Sequence, residues 1–306
     1  MCTYVIGDTH GCYVEFMDLV EKIEQQDPEP YFILVGDIIE RGPDTIKMLR
    51  WAMEYCNKPN GRFELILGNH EHTNISFLKK YLSSRENGFA HSISDFCSQG
   101  HYDPYHFGKI LADEHITDEE IERYFLFFQS LPIYKECNIT IQGKKQHFII
   151  VHGGLTRNLV NKDETFKKSS LTRKGLFYAT SKDGCDTIQK IVWNRWSTTL
   201  KRTIIIHGHT PTCGDSYADG RIQFGQKIVN VDCGCVFRSA QYPNANLAAL
   251  RLEDLQEFYL YAPSSITEEN KKAKEQLLKR ERKISKKESK SWVKEVENLF
   301  EEQEEQ

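Results

Sequence analysis

Long apolar runs are missing from this 306-residue chain. Uninterrupted stretches such as residues 148–151 and 204–206 fall far short of the roughly 18 to 20 residues that a membrane-spanning helix needs. The opening Met1-Cys2-Thr3-Tyr4-Val5-Ile6-Gly7-Asp8 carries no basic leader, no extended apolar core and no small-residue cleavage site, so the expected location is the cytoplasm. The nine cysteines include no C-x-x-C pair, and only Cys233 and Cys235 lie close together. Free thiols in a reducing compartment are therefore expected, rather than a disulfide scaffold or a zinc module. A basic excess is missing too: 40 Lys and Arg against 44 Asp and Glu give a net charge of -4. That balance leaves no footprint for nucleic acid or an anionic membrane as the main partner. No internal repeat is present. With 39% hydrophobic and 27% charged residues, the chain is globular and long enough for one large domain or two small ones.

What the chain does have, up to Pro263, is one theme repeated six times: a short β-rich apolar run that stops abruptly at Gly, Asp, Asn or His. The runs are residues 3–6 before Gly7-Asp8, 31–35 before Gly36-Asp37, 63–67 before Gly68-Asn69-His70, 148–151 before His152, 203–206 before His207-Gly208-His209, and 228–231 before Asp232. Runs of four or five without polar alternation suit strands buried on both faces. Helix-like stretches separate the first three: residues 14–25, with Phe16, Leu19, Val20 and Ile23 on one face, and 45–55, with Ile46, Leu49 and Met53. Strand, helix, strand predicts α/β layering. A helical insertion is expected over residues 73–130, with helix-like segments at 75–82 and 121–131. A hairpin follows, of strands 139–142 and 146–151 around Gly143-Lys144-Lys145. Residues 158–186 read as a polar surface loop.

In open α/β sheets, ligands gather outside the carboxyl ends of strands. This chain places Asp8 and His10 after its first strand, Asp37 after the second, Asn69 and His70 after the third, His152 after the fourth and His209 after the fifth. Two carboxylates, an amide oxygen and several imidazoles form a donor set for divalent metals such as Mn, Fe or Zn, with no thiolate included.

These residues carry a resemblance. Gly7-Asp8-Thr9-His10-Gly11, Gly36-Asp37-Ile38-Ile39-Glu40-Arg41-Gly42, Gly68-Asn69-His70-Glu71, His152-Gly153-Gly154 and Gly208-His209-Thr210-Pro211 resemble, in order and spacing, the motifs of the phosphoprotein phosphatase family of metallophosphoesterases. The likeness is to its bacterial and phage serine/threonine phosphatases and to the related symmetric dinucleoside tetraphosphate hydrolases, and it runs from about Tyr4 to Phe237. It implies an α/β (α+β) fold of the calcineurin-like type, a two-sheet β-sandwich flanked by helices. By resemblance, Asp8, His10 and Asp37 hold one metal, and Asp37, Asn69, His152 and His209 hold a second. Manganese is the expected ion at both, with Fe or Zn as alternatives. His207, in the same His-Gly-His, is left a packing role.

Two such metals would clamp a phosphate oxygen on each side and supply a hydroxide for direct attack on phosphorus, without a covalent phosphoenzyme. Arg41, by motif, and Arg195, in Trp193-Asn194-Arg195, are the expected guanidinium donors to the phosphate. His70 is the expected acid for the leaving alkoxide. The family normally has an aspartate at the position matching Glu40, thought to orient this histidine, so the extra methylene is a departure.

The function expected is hydrolysis of phosphate monoesters, with phosphoserine or phosphothreonine proteins or small phosphate esters as substrates. Glu40 and Glu71 point that way. The alternative is a dinucleoside tetraphosphate hydrolase, because Cys12-Tyr13 and Arg41-Gly42-Pro43-Asp44 occur in that branch as well. A third reading is a regulatory binding protein that has lost catalysis, with the tail as its interaction element. The insertion is a candidate wall of the substrate groove. Its cluster of His101, Tyr102, Tyr105, His106 and Phe107 reads as a small satellite core, with a contact surface as the other possibility. Beyond a catalytic domain of residues 1–263, residues 264–306 contain no Gly or Pro and are rich in Lys, Arg and Glu, a helix-favouring composition. A stripe of Trp292, Val293, Val296, Leu299 and Phe300 suggests docking of the last turns on the body; binding a partner or self-association is the alternative.

Overall fold

The computed structural model describes residues 1–100, 104, 106–141, 143–167 and 184–278, with side chains in the last segment from residue 188. His101, Tyr102, Tyr105, most of the expected 158–186 loop and the apolar stripe of the tail lie outside the described residues. Among the described residues, no helix is long and apolar enough to cross a membrane, and eight cysteines are free thiols.

All six apolar runs are strands, and they divide between two sheets. The first sheet holds β1 (Thr3–Ile6), β2 (Tyr31–Leu34) and β3 (Phe63–Leu65) in parallel, extended beyond β1 by antiparallel β9 (Ala248–Arg251) and β10 (Gln256–Tyr259). The second holds β5 (Lys144–Val151), β6 (Thr203–His207) and β8 (Ile228–Asn230) in parallel, with β4 (Tyr134–Ile141) and β7 (Gln223–Phe224) antiparallel at its edges.

The period of two explains why the runs do not alternate. Val5, Ile33, Ile66, Phe148, Ile150, Ile204, Ile206 and Val229 meet in a core shared by the two sheets. Their neighbours point the other way: Tyr4, Ile6, Phe32, Leu34 and Leu65 into a helical layer, and Ile149, Val151 and Ile205 under the loops behind the second sheet. Each strand is apolar on both faces because each face is covered. The covering helices are α1 (Tyr13–Glu24), burying Phe16, Leu19, Val20 and Ile23, and α2 (Thr45–Tyr55), burying Ile46, Met48, Leu49 and Trp51.

The insertion differs from expectation in where its helix starts. α3 (Asn69–Glu86) begins on the third motif itself, because the Glu71 side chain reaches back to the Gly68 N–H and caps it. Two short helices, α4 (Ile93–Ser98) and α5 (Phe107–Asp113), precede α6 (Asp118–Ser130), which the Asp118 carboxylate ties to Tyr81 and Arg85 of α3. Phe107 is fully buried against Tyr124 and Phe128 and belongs to the core, while the half-buried His106 packs on Phe77. The hairpin is tighter than expected. Lys144 pairs with Ile141, leaving Lys144 and Lys145 in the strand, with Gly143 at φ +84° as a two-residue turn requires. A further helix, α7 (Gly184–Val192), falls at the end of the expected polar loop.

The charged segment after Pro263 is helical at residues 268–278 and begins packed on the body. Leu277 joins the core between the sheets, and Asn270 is fully buried. The Asn270 amide accepts from the Phe224 N–H at 2.8 Å and donates to the Ile222 carbonyl at 2.9 Å, satisfying the open side of β7. Asn270→Ala strands both backbone groups away from water and is expected to cost about 1–3 kcal/mol, read as a lower urea midpoint at unchanged m-value.

Candidate metal centre

The parallel strands of both sheets deliver their carboxyl ends to one edge, and the loops that follow are stitched together there. His10 and Gly11 N–H groups donate to the Asp37 and Ile38 carbonyls, and the Gly208 N–H to that of His152. Contact is close enough to exclude side chains at two glycines: a Cβ on Gly208 would lie 2.1 Å from Asp8 Oδ1, and one on Gly68 2.3 Å from Asp37 Oδ1. Among the described residues, twelve non-glycines have positive φ, and five of them are His10, Asp37, Glu40, Arg41 and His209. Backbone strain is concentrated where side chains must be aimed.

The result is two overlapping donor clusters. Ligand-capable atoms of His10, Asp37 and His70 lie within 4.8 Å of one another, as do those of Asp37, His152 and His209. Asp37 Oδ2 is 3.7 Å from His10 Nε2 and 3.2 Å from His152 Nε2. Asn69 Oδ1 lies 2.8 Å from His152 Nε2. Asp8, expected as a ligand, is in neither cluster and meets the second through Oδ2, which accepts the His209 N–H at 3.0 Å. His207 is in neither cluster; its Nδ1–H donates to the Gly208 carbonyl.

An arginine stands beside each cluster. Arg41 donates to His10 Nε2 at 2.9 Å and to His70 Nε2 at 3.1 Å, with its guanidinium 5.5 Å above the Phe237 ring. Arg195 reaches Thr210 Oγ1 at 3.4 Å, next to His209. Glu40 pairs through Oε2 with His70 Nδ1, so the longer acid keeps the contact that an aspartate is expected to make.

Residues 1–238 match the calcineurin-like phosphoesterase family. The chain belongs to that family. Among its curated relatives is a symmetrical bis(5'-nucleosyl)-tetraphosphatase of Buchnera aphidicola, 34% identical over 98 residues, which are 32% of this chain and only 33% of that protein. An asymmetrical bis(5'-nucleosyl)-tetraphosphatase of Halalkalibacterium halodurans is 23% identical over 82% of this chain and 90% of its own. Among solved structures, a cold-active protein tyrosine phosphatase superposes with a TM-score of 0.46 at 17% identity, over 84% of this chain and 78% of that one.

A calcineurin-like phosphoesterase implies a divalent metal centre, and the chemistry of the donor set fits one. His152 gives its Nδ1–H to the Val35 carbonyl at 2.8 Å, so its Nε2 faces the oxygens of Asn69 and Asp37 with no proton to offer unless the ring is charged. A divalent cation between these atoms, or a proton on the ring, reconciles the three acceptors. Burial lowers the pKa of this ring, but Asp37 and Asp8 reverse that and push it up to about 10. His10 likewise gives Nδ1–H to the Ile39 carbonyl and turns Nε2 inward. Burial lowers His10 and His209 to about 3, keeping both in the neutral form a metal ligand needs. Asp8 Oδ1 and His209 Nε2 are buried without a hydrogen-bond partner among the described residues.

Three residues here, two acids and an amide, are read incompletely or missed by the sequence alone. Glu71, taken as a marker of substrate class, is fully buried and accepts the N–H groups of Asp37, Ile38 and Gly68 at 2.9, 2.9 and 3.0 Å. It splints the second and third motifs and cannot face a substrate. Burial, then Asp37, raises its pKa to about 7. Asp232 follows β8 and is buried behind Asp8; burial, then the Asp232 carboxylate, pushes Asp8 well up. Only its position after an apolar run could have flagged it. Asn74, which holds Glu40 Oε1 at 2.8 Å, stands one turn past His70, a spacing that α3 would have revealed.

Two outcomes follow for these acids. Glu71→Asp, too short to span three donors, should lower kcat on a phosphothreonine peptide and on diadenosine tetraphosphate by the same factor; a switch in preference would restore Glu71 as a specificity residue. Glu40→Asp should change kcat by less than about tenfold and Glu40→Ala by more. Steady-state kinetics of the two variants check this, and equal, negligible effects would refute it.

Proposed function

We propose that this phosphoesterase hydrolyses phosphate monoesters, with phosphoserine or phosphothreonine in proteins as the substrate class. The observation that carries the reading is His70 held against Glu40. An alkoxide is a poor leaving group unless it receives a proton as the P–O bond breaks, and a carboxylate-oriented imidazole beside the cluster is placed to give it. Burial opposes the charged ring, but Asp37 and Glu40 raise the His70 pKa above its ordinary value, favouring the proton-bearing form. A nucleotide leaving from an anhydride departs as a phosphate anion and gains much less from such an acid.

Asp8, His10 and Asp37 would hold one metal, and Asp37, Asn69, His152 and His209 the other, with manganese as the proposed ion. When bound, the metals supply charge neutralisation and an activated water. Asp37 and Asp8 fix the negative centre of the site, and the Glu71 splint keeps Asp37 from moving. Arg41 and Arg195, one on either side, supply guanidinium donors to the phosphoryl oxygens. Glu40 fixes the ring plane of His70 by holding its Nδ1–H, so that Nε2, which carries the proton to be given when the ring is charged, is directed towards the clusters.

A second reading, hydrolysis of dinucleoside polyphosphates, is favoured by a different observation: curated relatives, one aligned over 82% of the chain, are named bis(5'-nucleosyl)-tetraphosphatases. Phosphate release from a phosphothreonine peptide and nucleotide release from diadenosine tetraphosphate, each by manganese-loaded protein with a chelator control, separate the two. Chelator-sensitive turnover of the peptide is expected to dominate; preference for the dinucleotide moves the protein to the second reading. His70→Asn should lower kcat on the peptide by about a hundredfold or more.

A further inference from the structure

Glu40 has a second carboxylate oxygen, and what holds it comes from the insertion. Oε1 accepts the Asn74 Nδ2–H at 2.8 Å and the Phe107 backbone N–H at 3.0 Å, while Oε2 meets His70 Nδ1. Asn74 stands on α3 one turn after His70, and its amide also donates to the His70 carbonyl at 2.9 Å, so it grips both members of the pair. The other donor is equally fixed, because the Phe107 ring is fully buried between Tyr124 and Phe128.

Asn74 is 1% exposed, and its Oδ1 has no hydrogen-bond partner among the described residues. A buried amide oxygen left unpaired is a cost to the fold. Rotating the amide would not remove it, since Oδ1 would then face Glu40 Oε1 and the His70 carbonyl, both acceptors. Packing alone does not account for an asparagine here, because an apolar side chain of similar size would avoid the unpaired oxygen. The orientation is the one that serves Glu40.

We propose that Asn74 and the Phe107 N–H are positioning elements for the acid step: they fix Glu40 Oε1 so that Oε2 holds His70 in line with the leaving group. The longer Glu40 side chain reaches these donors, and the insertion thereby acts on the chemistry. The proposal rests on the reading of His70 as the proton donor, and the test keeps the two apart.

The whole 306-residue chain, loaded with manganese, is assayed on a phosphothreonine peptide, whose alkoxide needs a proton, and on p-nitrophenyl phosphate, whose phenolate does not. Asn74→Ala should lower kcat on the peptide by about tenfold or more, with KM within twofold, and leave p-nitrophenyl phosphate within about twofold. Asn74→Asp keeps the volume but turns an oxygen towards Glu40, and should fall at least as far on the peptide. Equal losses on both substrates, or none, with His70→Asn still selective for the peptide, would reduce Asn74 to a structural residue and overturn the proposal alone. Equal losses in His70→Asn would remove the acid reading and the proposal together. If neither Asn74 variant folds, Asn74 is structural and the proposal fails.

Discussion

The site is organised around one buried carboxylate. Asp37 is the residue common to both donor clusters. Its Oδ1 accepts the His70 N–H at 2.9 Å, anchoring the first turn of α3, and its Oδ2 faces His10 and His152. The helix terminus contributes partial positive charge where the carboxylate sits. Burial alone would keep a carboxyl protonated, yet the imidazoles of His152 and His70 hold Asp37 well below the usual carboxylate range. Asp8, where burial and then Asp232 outweigh His152, is pushed the opposite way.

Such a site is expensive, and the fold shows where the expense is met. Five site residues sit at positive φ, a conformation that costs of order 1–3 kcal/mol for residues other than glycine. They persist because their flanking strands are buried on both faces, in a core between the sheets and in layers outside them. Glu71 contributes from within: one carboxylate takes three N–H groups from two loops that would otherwise be orphaned away from water. Gly68 and Gly208 complete the arrangement by having nothing at Cβ where carboxylate oxygens lie.

Much of this was legible beforehand, and the exceptions share a cause. The six parallel strands announce themselves because burial on both faces leaves few polar positions to blur the run. β4 is expected only from residue 139, because Lys135, Glu136 and Cys137, half-buried at a sheet edge, blur its first half. β9 reads Ala-Ala-Leu-Arg, a helix-favouring string overridden by its place beside β1. Residue types at strand ends point to the candidate donors, since few other arrangements collect acids and imidazoles there. The direction a side chain takes was not legible: Glu71 in an Asn-His-Glu motif looks like a site acid, and only the structure turns it into the backbone.

The position of the insertion bears on why a glutamate can serve at position 40. An aspartate on the same backbone would have its carboxylate one methylene nearer the chain, further from Asn74 and from the N–H of Phe107. Glu40 spans a wider gap, but a longer side chain has more rotamers and holds an imidazole less firmly unless its far oxygen is fixed. The three partners of its carboxylate come from the start of α3, the next turn of α3 and the start of α5, which are tied together through Tyr81, Arg85 and Asp118 and through the buried ring of Phe107. The freedom introduced by the methylene is therefore removed by the same helices that distinguish this chain's middle segment, and the orientation of His70 becomes a property of the insertion as much as of the strand-end motif.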